Sequence, residues 1–271
     1  VPNTNPIILT NLEEALGSIP SIVDRFLEDG IAVIRGINLS DEEQIKLARA
    51  IGDEIGWVPN NSSNFNERYQ ESHANNTKKD TTSGDEIALE WHMEHVEYDA
   101  YAPIIAGVWN MYKFSADPET GKTYFFDASK AYLDLPEDWK LFLSKCTAVW
   151  SKLEGAGPFY TPSVQDHWKT GEKVIRIDVT STEATSDDAL YTYDGRTPTP
   201  DERKLYAKIR DHFISEIQNN TENRIVHRWN QGDLVIPDLF KMVHAVTGGF
   251  ESKDREFIGY WMYPRDPESG R

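Results

Sequence analysis

Four short apolar runs crowd the C-terminal part of this 271-residue chain: Arg224-Ile225-Val226-His227-Arg228-Trp229, Asp233-Leu234-Val235-Ile236, His244-Ala245-Val246-Thr247 and Phe257-Ile258-Gly259-Tyr260-Trp261-Met262-Tyr263. Short strands at such close spacing argue for a β-sandwich or jelly roll with helices packed outside it. Earlier segments agree. Ile31-Ala32-Val33-Ile34-Arg35-Gly36 reads as a buried strand ending at a glycine, and Pro103 to Tyr112 as an apolar, aromatic one. Lys122 to Phe126 follows a turn at Asp117-Pro118-Glu119-Thr120-Gly121, and Val174 to Val179 alternates with period two.

Three helices are expected. Ser40 followed by Glu43 is a capping-box pattern, with Ile45, Leu47, Ala48 and Ile51 at helical spacing up to about Gly56. Pro136 to Lys145 fits a second helix, with Pro136 near its first turn. Thr199-Pro200-Asp201-Glu202 opens a third, with Leu205, Ile209, Phe213 and Ile217 four apart. Residues 58–88 are polar, rich in Asn, Ser and Thr, and without periodicity, as in a long functional loop. There is no internal repeat or domain boundary, so residues 1–271 are expected to form one domain.

Hydrophobic residues make up 39% of the chain and aromatics 11%, enough for a large core. The net charge of −17 repels phosphate backbones, which argues against nucleic acid and anionic membranes as partners and is compatible with a cationic or zwitterionic small substrate. No stretch approaches the ~20 apolar residues of a membrane span, and no leader pattern opens the chain, so a cytoplasmic protein is expected. The single cysteine, Cys146, excludes a disulfide within the chain and fits a reducing compartment. It reads as a small buried hydrophobe behind a helix, with a thiol nucleophile as the rival reading.

The chemistry concentrates in Leu89-Glu90-Trp91-His92-Met93-Glu94-His95-Val96-Glu97-Tyr98. If Trp91 to Tyr98 is a strand, His92 and Glu94 share one face, and Met93 and His95 the other. An imidazole and a carboxylate side by side can take adjacent positions on one metal. A second histidine from a distant strand would complete a set that suits non-heme Fe(II), with open positions for substrate and O2. His-x-Glu alone is common by chance. The remaining histidines are His73, His167, His212, His227 and His244. His212 falls on a helix surface, His167 in a polar turn, and His227 on a strand beside Arg228. His244 follows a buried strand and a turn and opens a new strand, a good place for a rigidly held ligand.

At this point the chain resembles the TauD/TfdA-type Fe(II)/2-oxoglutarate-dependent dioxygenases. Trp91-His92-Met93-Glu94 resembles the family's Trp-His-Thr-Asp, and Thr120-Gly121-Lys122-Thr123 its Gly-Gly-Asp-Thr. Ala131-Tyr132-Leu133-Asp134-Leu135 is similar to its Ala-Tyr-x-x-Leu, and Gly232 through His244 to its Gly-Asp-x-x-x-Trp-Asp-Asn and distal histidine. Arg255 lies 255 − 244 = 11 residues further on, at the family's offset for the co-substrate arginine. The resemblance implies a mainly β double-stranded β-helix (jelly roll) with flanking helices. It implies Fe(II) held by His92, Glu94 and His244, with 2-oxoglutarate meeting Arg255 and Thr123. A surface ion pair with Asp254 or Glu251 is the rival reading of Arg255. The implied reaction is oxidation of an unactivated C–H bond, hydroxylation by default, with O2 consumed and succinate and CO2 released. Desaturation and cyclisation use the same iron site, and an inactive jelly-roll small-molecule-binding protein is the alternative from another class. The oligomeric state is left open, a homo-oligomer included.

Several positions depart from the family pattern. Glu94 stands where most members have Asp; the clavaminate-synthase-like amino acid hydroxylases are similar in using His-x-Glu, which points to an amino-acid-like substrate. A carboxylate at 94 argues against a halogenase. Gly259 occupies the place of the taurine-type enzymes' second arginine, which speaks against a sulfonate substrate. Pro237 replaces the usual Trp, and Leu239 the usual Asn. Residues 58–88 lie where the family has a substrate-covering loop. His73, Asn75, Asn76, Glu90, His95 and Glu97 are candidate substrate contacts there and near the iron, with Tyr98 beside them.

Overall fold

The computed structural model describes residues 5–59, 67–69, 78–79, 85–94, 106–150, 159–179 and 190–264. Two sheets dominate. The larger runs Ile7–Ile8, Ile31–Arg35, Leu234–Pro237, Ala106–Phe114, Arg255–Pro264, Trp57–Pro59, with Glu67–Tyr69 also pairing Arg255–Pro264. The smaller runs Arg224–His227, Thr123–Asp127, Met242–Thr247, Glu86–His92, Lys78–Lys79. Apart from the parallel pair at the larger sheet's edge, Ile7–Ile8 with Ile31–Arg35, these pairings are antiparallel. From Ala106 onward the chain crosses repeatedly between the two sheets, the connectivity of the expected jelly roll. The segment 58–88 therefore supplies strand pieces to both sheets and is not wholly loop.

The strand Thr123–Asp127 shows why the central strands are apolar throughout. Phe125 clusters with Trp109, Met111, Ile225, Val235 and Leu239 between the sheets, whereas Phe126 meets Phe213 of the helix Pro200–Asn219 on the outer face. A strand covered on both sides carries no polar alternation.

Both capping boxes form as read: Ser40 with Glu43 opens the helix Asp41–Ile55, and Thr199 with Glu202 opens Pro200–Asn219. Gln44, fully buried, donates from Nε2 to the carbonyls of Val108 and Ile258, fastening the first of these helices to the larger sheet. Gly52 on the same helix lies against Trp57, where an added Cβ would sit 2.3 Å from Cδ1 and 2.7 Å from the backbone oxygen. Gly52→Ala gains roughly 1 kcal/mol of helix propensity but overpacks at a cost of about 1–3 kcal/mol, because one obstacle is backbone. A lower melting temperature is expected; an unchanged or raised one in a thermal scan would refute this packing.

Some local expectations need correction. The second helix is Glu137–Leu143, with Pro136 as N-cap. The strand read at Val174–Val179 is Lys173–Ile175, and the residues from Val174 to Asp178 are buried without alternation. The polar members Arg176 and Asp178 are buried too, each tied by hydrogen bonds, so a polar/apolar pattern did not mark a wet face.

Candidate active site

The strand Glu86–His92 ends at His92, so Met93 and Glu94 lie just beyond it. Met93 is fully buried in the core, and Glu94 turns back towards the sheet's neighbouring strand, Met242–Thr247. His244 is the third residue of that strand; it does not open it. The antiparallel register sets His244 opposite His92 on one side and Phe125 on the other. The two imidazole centroids are 4.1 Å apart, and His244 Nε2 is 3.7 Å from Glu94 Oε1. One ligand atom from each of His92, Glu94 and His244 lies within 4.8 Å of the others. Among the described residues no other such cluster of His, Cys, Asp and Glu forms.

The donor set fits a divalent metal. His92 Nδ1 is 2.7 Å from the carbonyl of Glu90. A carbonyl only accepts, so Nδ1 carries the proton and the Nε2 lone pair is left for a metal. His244 is 3% exposed, while His92 and Glu94 are half-buried. Trp109 from the larger sheet and Phe125 pack beside the His244 ring, at centroid distances of 5.5 and 6.0 Å.

Thr123 and Arg255 lie inside the same sandwich, both buried. Thr123 Oγ1 accepts from Trp229 Nε1 at 2.9 Å, so its own proton is left to donate elsewhere. Arg255 donates from Nη1 to the carbonyl of Gly121 at 3.2 Å, with its guanidinium 5.6 Å from the Trp229 ring and 5.2 Å from Phe250. At 2% exposure Arg255 is buried, not at the surface as the ion-pair reading had it.

The other histidines separate clearly. His212 is exposed and edges against Trp139. His227 is buried beside Trp229, 3.3 Å from Asp233; burial, helped by the charges of Arg35 and Arg255, holds it below its ordinary value against the pull of Asp233. His167, expected in a polar turn, is 2% exposed and bonded to Asp238. Its partner lies 71 residues away, a pairing that local sequence does not signal. Cys146 is buried, its thiol pushed up to about 12 chiefly by burial and donating to the Phe142 carbonyl, which suits the hydrophobe reading over the nucleophile. Of the expected substrate contacts, Glu90 is half-buried beside the centre, while His73, Asn75, Asn76, His95, Glu97 and Tyr98 lie outside the described residues.

Gly259 pairs across the sheet with Trp109. A Cβ there would lie 3.2 Å from both Trp109 Cδ1 and Trp261 Cζ3, so indole rings cover this position.

A family model described as "Taurine catabolism dioxygenase TauD, TfdA family" matches residues 9–261. No curated protein sequence matches the chain significantly. Solved structures share its fold. A taurine dioxygenase from Burkholderia xenovorans superposes with a TM-score of 0.68 at 18% identity, covering 100% of this chain and 93% of its own. AAD-2, solved with Mn(II) and N-oxalylglycine, gives 0.65 at 16% identity, with 97% and 96% covered. Among the described residues no helix is long and apolar enough to cross a membrane.

Proposed function

The chain belongs to the TauD/TfdA family of dioxygenases, and from that premise we propose that it oxidises an unactivated C–H bond, by hydroxylation in the simplest case, in a small polar, amino-acid-like molecule. As a member it is a non-heme Fe(II)/2-oxoglutarate-dependent dioxygenase that uses O2. The observation that carries the site assignment is the meeting of His92, Glu94 and His244 within 4.8 Å, with the Nδ1 proton of His92 committed to a carbonyl. These three residues would hold the iron, which when bound supplies coordination positions and oxidising power.

The chain's own groups do the rest. Arg255 would pair with the far carboxylate of 2-oxoglutarate through its planar fork. Thr123, its oxygen engaged by Trp229, would donate to the same carboxylate. The rings of Trp229 and Phe250 keep water from that pair and so strengthen it. The indole-covered Gly259 supports a substrate other than a sulfonate, because no cationic side chain stands at that position. Residues 1–271 would act as one domain, with 58–88 covering the substrate. Ring formation or desaturation would need only a different fate for the oxidised carbon.

The test is anaerobic. Fe(II) and 2-oxoglutarate added to the apo-protein should give the weak visible charge-transfer band of a chelate. A panel of amino acids and small acids is then titrated, and a shift of the band picks out the substrate class. Iron-loaded, folded protein without a band would overturn the assignment. A shift produced by sulfonates and by no amino acid would overturn the substrate reading alone.

A further inference from the structure

Arg176 is bonded to the backbone on both halves of the metal site, through the carbonyls of Glu94 and Phe240, and it feels the charge of Glu94. It follows the strand Lys173–Ile175 and is 2% exposed. Its backbone N–H donates to Ser163 O at 2.8 Å, which anchors it. Nη2 donates to the carbonyl of Glu94 at 3.0 Å, and Nη1 to the carbonyl of Phe240 at 2.5 Å. The guanidinium lies over the Phe240 ring, 4.6 Å from its centroid.

Phe240 belongs to the turn that leads into the strand carrying His244. Asp238 organises that turn: its Oδ1 accepts from the N–H groups of Phe240 and Lys241 at 3.1 and 3.3 Å, and its carbonyl accepts from Met242. Asp238 Oδ2 meets His167 Nε2 at 2.8 Å. His167 Nδ1 accepts from the backbone N–H of Thr170, so Nε2 bears the proton and donates to Asp238. Burial pulls the Arg176 guanidinium below its ordinary value, and the charges of Asp238 and Glu94 oppose that pull within the same buried cluster.

We propose that Arg176 is a positioning residue for the metal centre: it ties the backbone of Glu94 to the turn that delivers His244, fixing the separation of carboxylate and imidazole. The inference rests on the reading of Glu94 as an iron ligand. The strand ends at His92, so it is Arg176 that supplies a donor to the carbonyl of Glu94. The planar fork presents two separate nitrogens, one to each carbonyl, at a fixed spacing, whereas a lysine ammonium would have to reach both from a single nitrogen on a flexible stem. With the backbone pinned, the reach of the carboxylate depends on side-chain length, and a methylene is roughly 1.5 Å. Glu at position 94 is matched to that pinned backbone.

The experiment is Mn(II) binding to the apo-protein, followed by electron paramagnetic resonance, with the visible spectrum of the Co(II) form as a report on ligand geometry. Neither needs turnover. Arg176→Lys keeps the charge and should weaken Mn(II) binding about tenfold or more and change the Co(II) spectrum. Glu94→Asp alone should weaken binding strongly, and the pair together by less than the product, since releasing the backbone lets the shorter side chain approach. Wild-type affinity in folded Arg176→Lys, or strictly multiplicative effects in the pair, overturns the proposal. If Arg176→Lys does not fold, Arg176→Gln, which keeps a donor but loses the fork, takes its place, and the same tenfold loss is expected or the proposal falls. Glu94→Ala separates the two levels. Retained Mn(II) affinity there removes the ligand reading and this inference with it; lost affinity there, with none lost in Arg176→Lys, removes this inference alone.

Discussion

His244→Ala is expected to weaken Fe(II) binding by more than about a hundredfold and to end succinate formation. Changing a group that only orients a metal ligand costs roughly 10–100-fold in affinity; removing a ligand outright costs more. The remaining His92 and Glu94 lie at and just beyond the end of one strand, and the opposing side of the cluster would be empty. His227 cannot substitute, since it lies outside the cluster and faces Asp233. Calorimetric Fe(II) or Mn(II) titration of folded variant protein measures the loss, with circular dichroism as the control for the small cavity left at a buried site. A variant that makes succinate at the wild-type rate would show that the iron is held elsewhere.

Arg255→Ala should raise the 2-oxoglutarate requirement about a hundredfold, equivalent to about 2.7 kcal/mol, with little change in metal affinity. Arg255 is buried inside the sandwich under Trp229 and Phe250, where a carboxylate without its cation would pay the desolvation cost unrelieved. The measurement is the anaerobic charge-transfer titration at fixed Fe(II), in which the midpoint moves and the limiting band does not. An unmoved midpoint would mean that another cation receives the co-substrate. The contrast between the two variants separates metal binding from co-substrate binding at one site.

Much of this was legible in the chain because it is local. Ser40 with Glu43 and Thr199 with Glu202 form both capping boxes because a cap and its partner are three residues apart. The short apolar runs announce strands because burial on both faces removes polar alternation, as at Phe125 and Phe126. The same logic misled at Val174–Val179, where Arg176 and Asp178 imitate a wet face while buried with distant partners.

Taken alone, the sequence determined the strand-rich class, the starts of three helices but not those of Leu12–Gly17, Ile19–Asp29 and Ala128–Asp134, the pairing of His92 with Glu94 as a ligand-type motif, and the family. Only the tertiary structure decided that His244 stands opposite His92, that His227 turns to Asp233, that indoles cover Gly259, and that Arg176 and His167 are buried against partners far along the chain. The division has one physical cause. Propensity, capping and alternation act over a few residues, whereas register and the pairing of buried polar groups depend on which strands meet, and Glu94 and His244 meet across 150 residues of chain.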